Sequence, residues 1–248
     1  MLRWLILGIA FPASLAAQAT ADDFLSQQMA YSRVRAARRE HGSSLQYSLR
    51  EVGISGAFRV YLRGFKANYA LEAWVASPSG KYHLLRTYPF CDLSGGPGPK
   101  RMLGDGQVPE GFYRINRFNP ASRFHLSLGI DYPNAVDRTR AAPSPPGSDI
   151  FIHGNCVTVG CIPITDALIE ELYLLVVLAR ASGQAVIPVH LFPAQPDTPA
   201  WRELQAPDTA TATLWRQLSQ AAKAFEANGY QQVPVYRPSP SGYFLIKK

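Results

Sequence analysis

The chain has 248 residues, is 47% hydrophobic and carries a formal charge of +7 at pH 7. That apolar fraction supports a real core and argues against a disordered polymer. The cations are scattered apart from RVRAARRE (33–40), which reads as a solvated helix face, and no nucleic-acid-binding module is recognisable. A modestly basic exported chain would be drawn to acidic polymers such as a wall or membrane surface.

The first 19 residues, MLRWLILGIAFPASLAAQA, have one cation, a short apolar run and a small-residue Ala17-Gln18-Ala19 end. This is the plan of a signal peptide (1–19), so the chain is expected in the periplasm. The stretch LIEELYLLVVLA (168–179) carries Glu170 and Glu171 and fits a buried helix, so no membrane span is expected after cleavage. Three cysteines in an oxidising compartment form an odd set.

Residues 20–56 are polar and helix-compatible, with Met29, Val34 and Leu45 too sparse for a strong apolar stripe. FRVYLRGF (58–65), ALEAWVAS (70–77) and KYHLLRTYPF (81–90) are rich in aromatic and β-branched residues and read as antiparallel strands. The Gly- and Pro-dense segment 91–111 is a long loop, of the kind that often carries function. FYRINRF (112–118) and SRFHLSLGIDY (122–132) resume strand pattern, 134–148 is an irregular connection, and DIFIHG (149–154) is a short strand. A helix over 167–181 starts at Thr165 or Asp166 and stops at Gly183. AVIPVHLF (185–192) is a strand whose Pro188 predicts an edge position. QPDTPAW (195–201) is a break, 211–228 an amphipathic helix ended by Asn228-Gly229, and GYFLIKK (242–248) a terminal strand. The fold class is α+β and β-rich, with flanking helices and a small C-terminal extension.

FIHGNCVTVGCIPITD (151–166) holds two of the three cysteines and His153. A cysteine nucleophile must lose its proton, and a nearby imidazole is the usual base. His153 ends an apolar strand, and the intervening loop is short enough to bring it to face Cys161. The Gly160 and Cys161 N–H groups are candidates for an oxyanion hole, with Thr158 as a further hydroxyl donor. A zinc site built on His153, Cys156 and Cys161 lacks a clear fourth ligand. A purely structural Cys161 stays open on spacing alone. Cys91 and Cys156 either pair, leaving Cys161 free, or remain two separate thiols.

Ile152-His153-Gly154 followed by Thr158-Val159-Gly160-Cys161 resembles the signature of the YkuD-type L,D-transpeptidase catalytic domain, and the short His-to-Cys gap resembles its YafK-like branch. The likeness extends to Pro109, Gly111, Phe112 and Tyr113 and to FNPASRFHLSLGIDYPN (118–134), covering roughly 57–192. The resemblance implies a catalytic domain at 57–195 and an accessory segment at 196–248. It implies peptidoglycan stem peptides as substrate, a thioester on Cys161, His153 as general base and acid, and no cofactor or metal. The Gly154 carbonyl would orient the imidazole. A wall-anchored lipoprotein is a further partner the branch implies, since some of its members hydrolyse the lipoprotein–wall bond. Many relatives carry arginine two residues after the cysteine, where this chain has Pro163. Lys100 and Arg101 are the candidates to hold a substrate carboxylate in its place, and Tyr113 is a candidate flank of the cleft.

Overall fold

The computed structural model describes residues 22–246; the expected signal peptide lies outside them. A helical stretch over 22–29 (α1) leads into α2 (Ser32–Glu51). Strands β1 (Arg59–Phe65), β2 (Ala70–Ala76) and β3 (His83–Pro89) follow, then the long loop and β4 (Gly111–Asn119). Next come β5 (Ser127–Ile130), α3 (Ala135–Ala141), β6 (Phe151–His153), β7 (Ile162–Pro163) and α4 (Asp166–Ala181). The chain continues through β8 (Pro188–Phe192), α5 (Pro199–Glu203), α6 (Thr209–Ala227), β9 (Tyr236–Ser239) and β10 (Gly242–Leu245).

Eight strands form one sheet in the order β3-β2-β1-β8-β4-β5-β6-β7, and β9 and β10 pair separately. The period of two along the central strands explains the layers. Val60, Leu62, Leu71, Ala73, Val75, Val189 and Leu191 face the core built with α2 and α4. Their alternates Phe65, Phe112 and Phe192 face Leu214, Leu218, Ala221 and Ala222 of α6, while Tyr61, Trp74 and Ala76 meet Phe225. Burial of each large side chain in this way contributes about 1.5–3 kcal/mol. The α6 layer is therefore built into the fold, because without it the second face of the sheet would expose a row of aromatic rings. Arg63, 1% exposed, breaks the apolar row on that face. It is neutralised by Glu72 at 3.0 Å and by Glu226 of α6 at 3.4 Å.

Three expectations change. AVIPVHLF is no edge strand: β8 lies between β1, to which it is parallel, and β4, to which it is antiparallel. Pro188 is tolerated because it is the first residue of the strand, where a missing N–H costs least. The connection 134–148 contains α3, which carries a capping box: the Asn134 side chain accepts from Val136 and Asp137 N–H, and Asp137 accepts from Asn134 N–H. The segment 122–132 is strand only over β5; before it, His125 turns at φ 69°.

Candidate active site

The site grows from the short strand β6. His153 pairs across to Ser127 of β5 on one side and to Pro163 of β7 on the other. Because β6 and β7 are parallel, the chain between them must climb back along β6. Parallel neighbours ordinarily need a crossover of about a dozen residues or more. Here residues 154–161 do it as an irregular loop, with Asn155 at φ 63° and Gly160 at φ 98°. Cys161 ends that climb immediately before β7.

The loop is fastened from the Gly- and Pro-dense segment. Cys91 and Cys156 form a disulfide with Cα atoms 5.5 Å apart, and Cys161 is the free thiol. Pairing of Cys156 removes it as a thiolate ligand for zinc. Cys91 N–H donates to Pro163 O at 3.1 Å. Gly160 N–H donates to Ser94 Oγ at 2.7 Å, and Ser94 Oγ donates to Gly106 O at 2.7 Å. A Cβ on Gly160 would stand 2.8 Å from the Gln107 carbonyl, so only glycine permits this approach at a positive φ. The segment is anchored in turn by buried Lys66, whose Nζ donates to the carbonyls of Gly98 (2.7 Å) and Val108 (3.1 Å) and pairs with Glu110 at 3.0 Å.

His153 is 2% exposed, and its Nδ1 lies 2.5 Å from the Gly154 carbonyl. A carbonyl only accepts, so Nδ1 carries the proton and Nε2 presents its lone pair. Burial lowers the imidazole pKa from its ordinary value, while the Gly154 hydrogen bond acts the other way. The ring is therefore neutral near pH 7 and fit to accept a proton. Phe124 covers it, with ring centroids 4.8 Å apart at 33°. Gly154 must be glycine, because a Cβ would collide with Asp166 Oδ1 and come within 2.9 Å of Ile169 Cγ2.

Burial also pushes the Cys161 thiol pKa up, opposed by the Phe151 N–H and by the charge of Lys100. Phe151 N–H donates to Sγ at 3.4 Å, and Sγ donates to Asp149 O at 3.7 Å. At rest the thiol is thus protonated and parked along β6, with no hydrogen bond to the imidazole. Both side chains open into one cleft of about 360 Å³, also lined by Asn119, Arg123, Phe124 and Ser127. The arrangement suits proton transfer to Nε2 during attack better than a standing thiolate–imidazolium pair.

Several expected site residues are elsewhere engaged. The Gly160 N–H is tied to Ser94 and does not point freely at a cleft oxygen. Thr158 Oγ1 donates to Cys161 O at 2.8 Å, closing the loop instead of reaching substrate. Tyr113 is 4% exposed and donates to Asp137 at 3.0 Å, so it is a core residue. Lys100 is 5% exposed and bound to Asp105 at 2.7 Å; it touches the site only through its field at Cys161. Arg101 pairs with Asp208 at the start of α6 at 2.7 Å. Hydrogen bonding and burial decide each of these, and neither is visible in a one-dimensional string. Ser94, Lys66, Phe124 and Arg123 were not singled out from sequence. The last two lie inside the RFHLSL pattern (123–128) that reads as strand, which hid them.

A free thiol and a buried, oriented imidazole lining one cleft define a cysteine–histidine site on an α+β scaffold. Residues 73–191 match the YkuD L,D-transpeptidase catalytic domain. YafK of Escherichia coli (strain K12), named provisionally as an L,D-transpeptidase, is 38% identical over 136 residues, 54% of each chain. The protein of the same name from Escherichia coli O157:H7 matches equally. The chain thus spans about half the length of the curated relatives it matches. Among solved structures, the helical cell shape determining protein Pgp2 from Campylobacter jejuni superposes with TM-score 0.45 at 16% identity, over 78% of this chain and 79% of that one. No helix among the described residues is long and apolar enough to cross a membrane.

Proposed function

We propose that this protein is a periplasmic L,D-transpeptidase-type cysteine acyltransferase that works on peptidoglycan stem peptides through a thioester on Cys161. The observation that carries the reading is the free thiol sharing a cleft with a neutral imidazole whose Nδ1 is fixed on Gly154. The match of residues 73–191 to the YkuD L,D-transpeptidase catalytic domain supports the substrate class. The disulfide supports an oxidising compartment.

In the first half-reaction Sγ attacks the carbonyl at the L-centre of diaminopimelate while its proton passes to His153 Nε2. The tetrahedral oxygen is met by the Cys161 N–H. Collapse breaks the C–N bond, and the departing D-alanine amine takes the proton from His153. An acceptor amine then attacks the thioester, gives its proton to His153, and the C–S bond breaks as Sγ is reprotonated. The acceptor is a second stem peptide or a lysine of an anchored lipoprotein. With water as acceptor the same steps make a hydrolase, including one that frees lipoprotein from the wall.

Mass spectrometry of muropeptides, after incubating the mature protein with lipoprotein-bearing sacculi, tests this, with Cys161→Ala as control. New diaminopimelate–diaminopimelate cross-links with loss of D-alanine are expected. Release of lipoprotein C-terminal residues without cross-links would instead assign the hydrolase. Identical sacculi from both proteins would leave a non-catalytic wall-binding role and overturn the enzyme.

A further inference from the structure

The segment between β4 and β5 is held more firmly than an exposed loop requires. Arg33 of α2 donates from Nη1 to Ser122 O at 2.6 Å and to His125 O at 2.7 Å. Ser122 Oγ accepts from Phe124 N–H at 3.0 Å, and His125 Nε2 lies 2.6 Å from Glu170 of α4. These bonds pin both ends of the turn and leave its middle, Arg123 and Phe124, projecting at the cleft. Phe124 covers His153. Arg123 is exposed, lines the same cleft as Cys161, and forms no ion pair or hydrogen bond among the described residues.

Most of this protein's other cations near the site are spent. Lys100 is held by Asp105, Arg101 by Asp208 and Arg117 by Asp149. Among the described residues Asp149 is the single carboxylate lining the cleft, and it is the one that Arg117 engages. A bound anion would therefore find one uncommitted guanidinium beside the thiol, with a fork geometry suited to a carboxylate. Its immobilised backbone lowers the ordering cost of making that contact.

We propose that Arg123 is the carboxylate-binding residue of the cleft, pairing with a carboxylate of the acyl donor and so setting which carbonyl meets Cys161. The donor's identity rests on the stem-peptide reading above; the anion site does not. Arg33 is a positioning residue that acts through the turn.

The two parts separate in one experiment. Alkylation of Cys161 by iodoacetate is compared with alkylation by neutral iodoacetamide, in wild type, Arg123→Gln and Arg123→Lys. The iodoacetate-to-iodoacetamide rate ratio is expected to fall several-fold in Arg123→Gln and to recover partly in Arg123→Lys, at unchanged melting temperature. Charge-assisted hydrogen bonds of this kind correspond to about tenfold to a hundredfold in affinity. So KM for acylation by a tetrapeptide should rise about that much in Arg123→Gln, with the maximal rate less affected. Donors amidated at the terminal carboxylate or at the diaminopimelate side chain show which group is held: the right amide loses affinity on wild type and loses no more on Arg123→Gln. An unchanged alkylation ratio, or equal KM for every donor on both proteins, overturns the proposal. A ratio that falls while no stem peptide acylates wild type keeps the anion site and removes the stem-peptide donor.

Discussion

Replacing both Cys91 and Cys156 by serine should cost stability chiefly through the unfolded chain. The bridge spans a sequence separation of 65 residues. Closing a loop of that length removes denatured-state entropy equivalent to about 4 kcal/mol at 25 °C. No core cavity offsets or inflates the figure, since Cys156 is exposed and Cys91 half-buried. In a protein of this size that corresponds to a melting temperature lower by about 8–16 °C. Urea unfolding of wild type and the double variant is the assay, with the slope expected to steepen as the unfolded chain expands. In the native state the Cys91 N–H to Pro163 bond and the Gly160 N–H to Ser94 bond still bracket the nucleophile loop. Residual Cys161 acylation should therefore survive below the new transition. A loss under about 1 kcal/mol would refute the chain-entropy argument. Abolished acylation in a still-folded variant would show that the bridge, not the hydrogen bonds, sets the loop.

Alkylation of Cys161 by iodoacetamide should rise with pH only above the ordinary thiol range near 9.0, because burial holds the thiol protonated. The acidic limb of enzymatic turnover should in turn lie below the ordinary imidazole value of 6.5, because burial favours neutral His153. A standing thiolate near neutrality would contradict both. Gly154→Ala should displace the carbonyl that orients His153, since the new methyl meets Asp166 and Ile169. Overpacking of this kind costs about 1–3 kcal/mol, and turnover should fall far more than stability, measured by acylation and by melting. Asp137, buried among Tyr113, Asn134 and the α3 backbone, has its carboxyl raised by burial to about 7. The folded state then holds a proton that the unfolded chain releases near 3.8. Stability should decline as pH rises from about 4 to about 7, by at most about 4 kcal/mol, and be flat in this respect above that window. Asp137→Asn should remove that slope; a slope unchanged in the variant would assign it to other groups.

Much of the architecture was legible in the order of residues. Alternation marked β1, β2 and β4 to within a residue or two, and Thr165 and Gly183 bracketed α4, because strand and helix periods and caps are local properties. The pair His153 and Cys161 was readable for the same reason, since thiol, imidazole and the glycines beside them sit within one short segment. Other features depended on partners distant in the chain. Pro188 looked like an edge residue because sequence does not say which strands flank β8. Lys100, Arg101 and Tyr113 looked available because Asp105, Asp208 and Asp137 become their partners only after folding. Arg123, free among the described residues of the cleft, emerged once the partners of Lys100, Arg101 and Arg117 were in place. What the chain itself determined is the chemistry of two side chains and the periods of the elements that hold them. What only the tertiary structure decided is which polar groups are consumed in holding the fold and which are left to face a substrate, because a hydrogen bond or an ion pair is a property of two positions brought together.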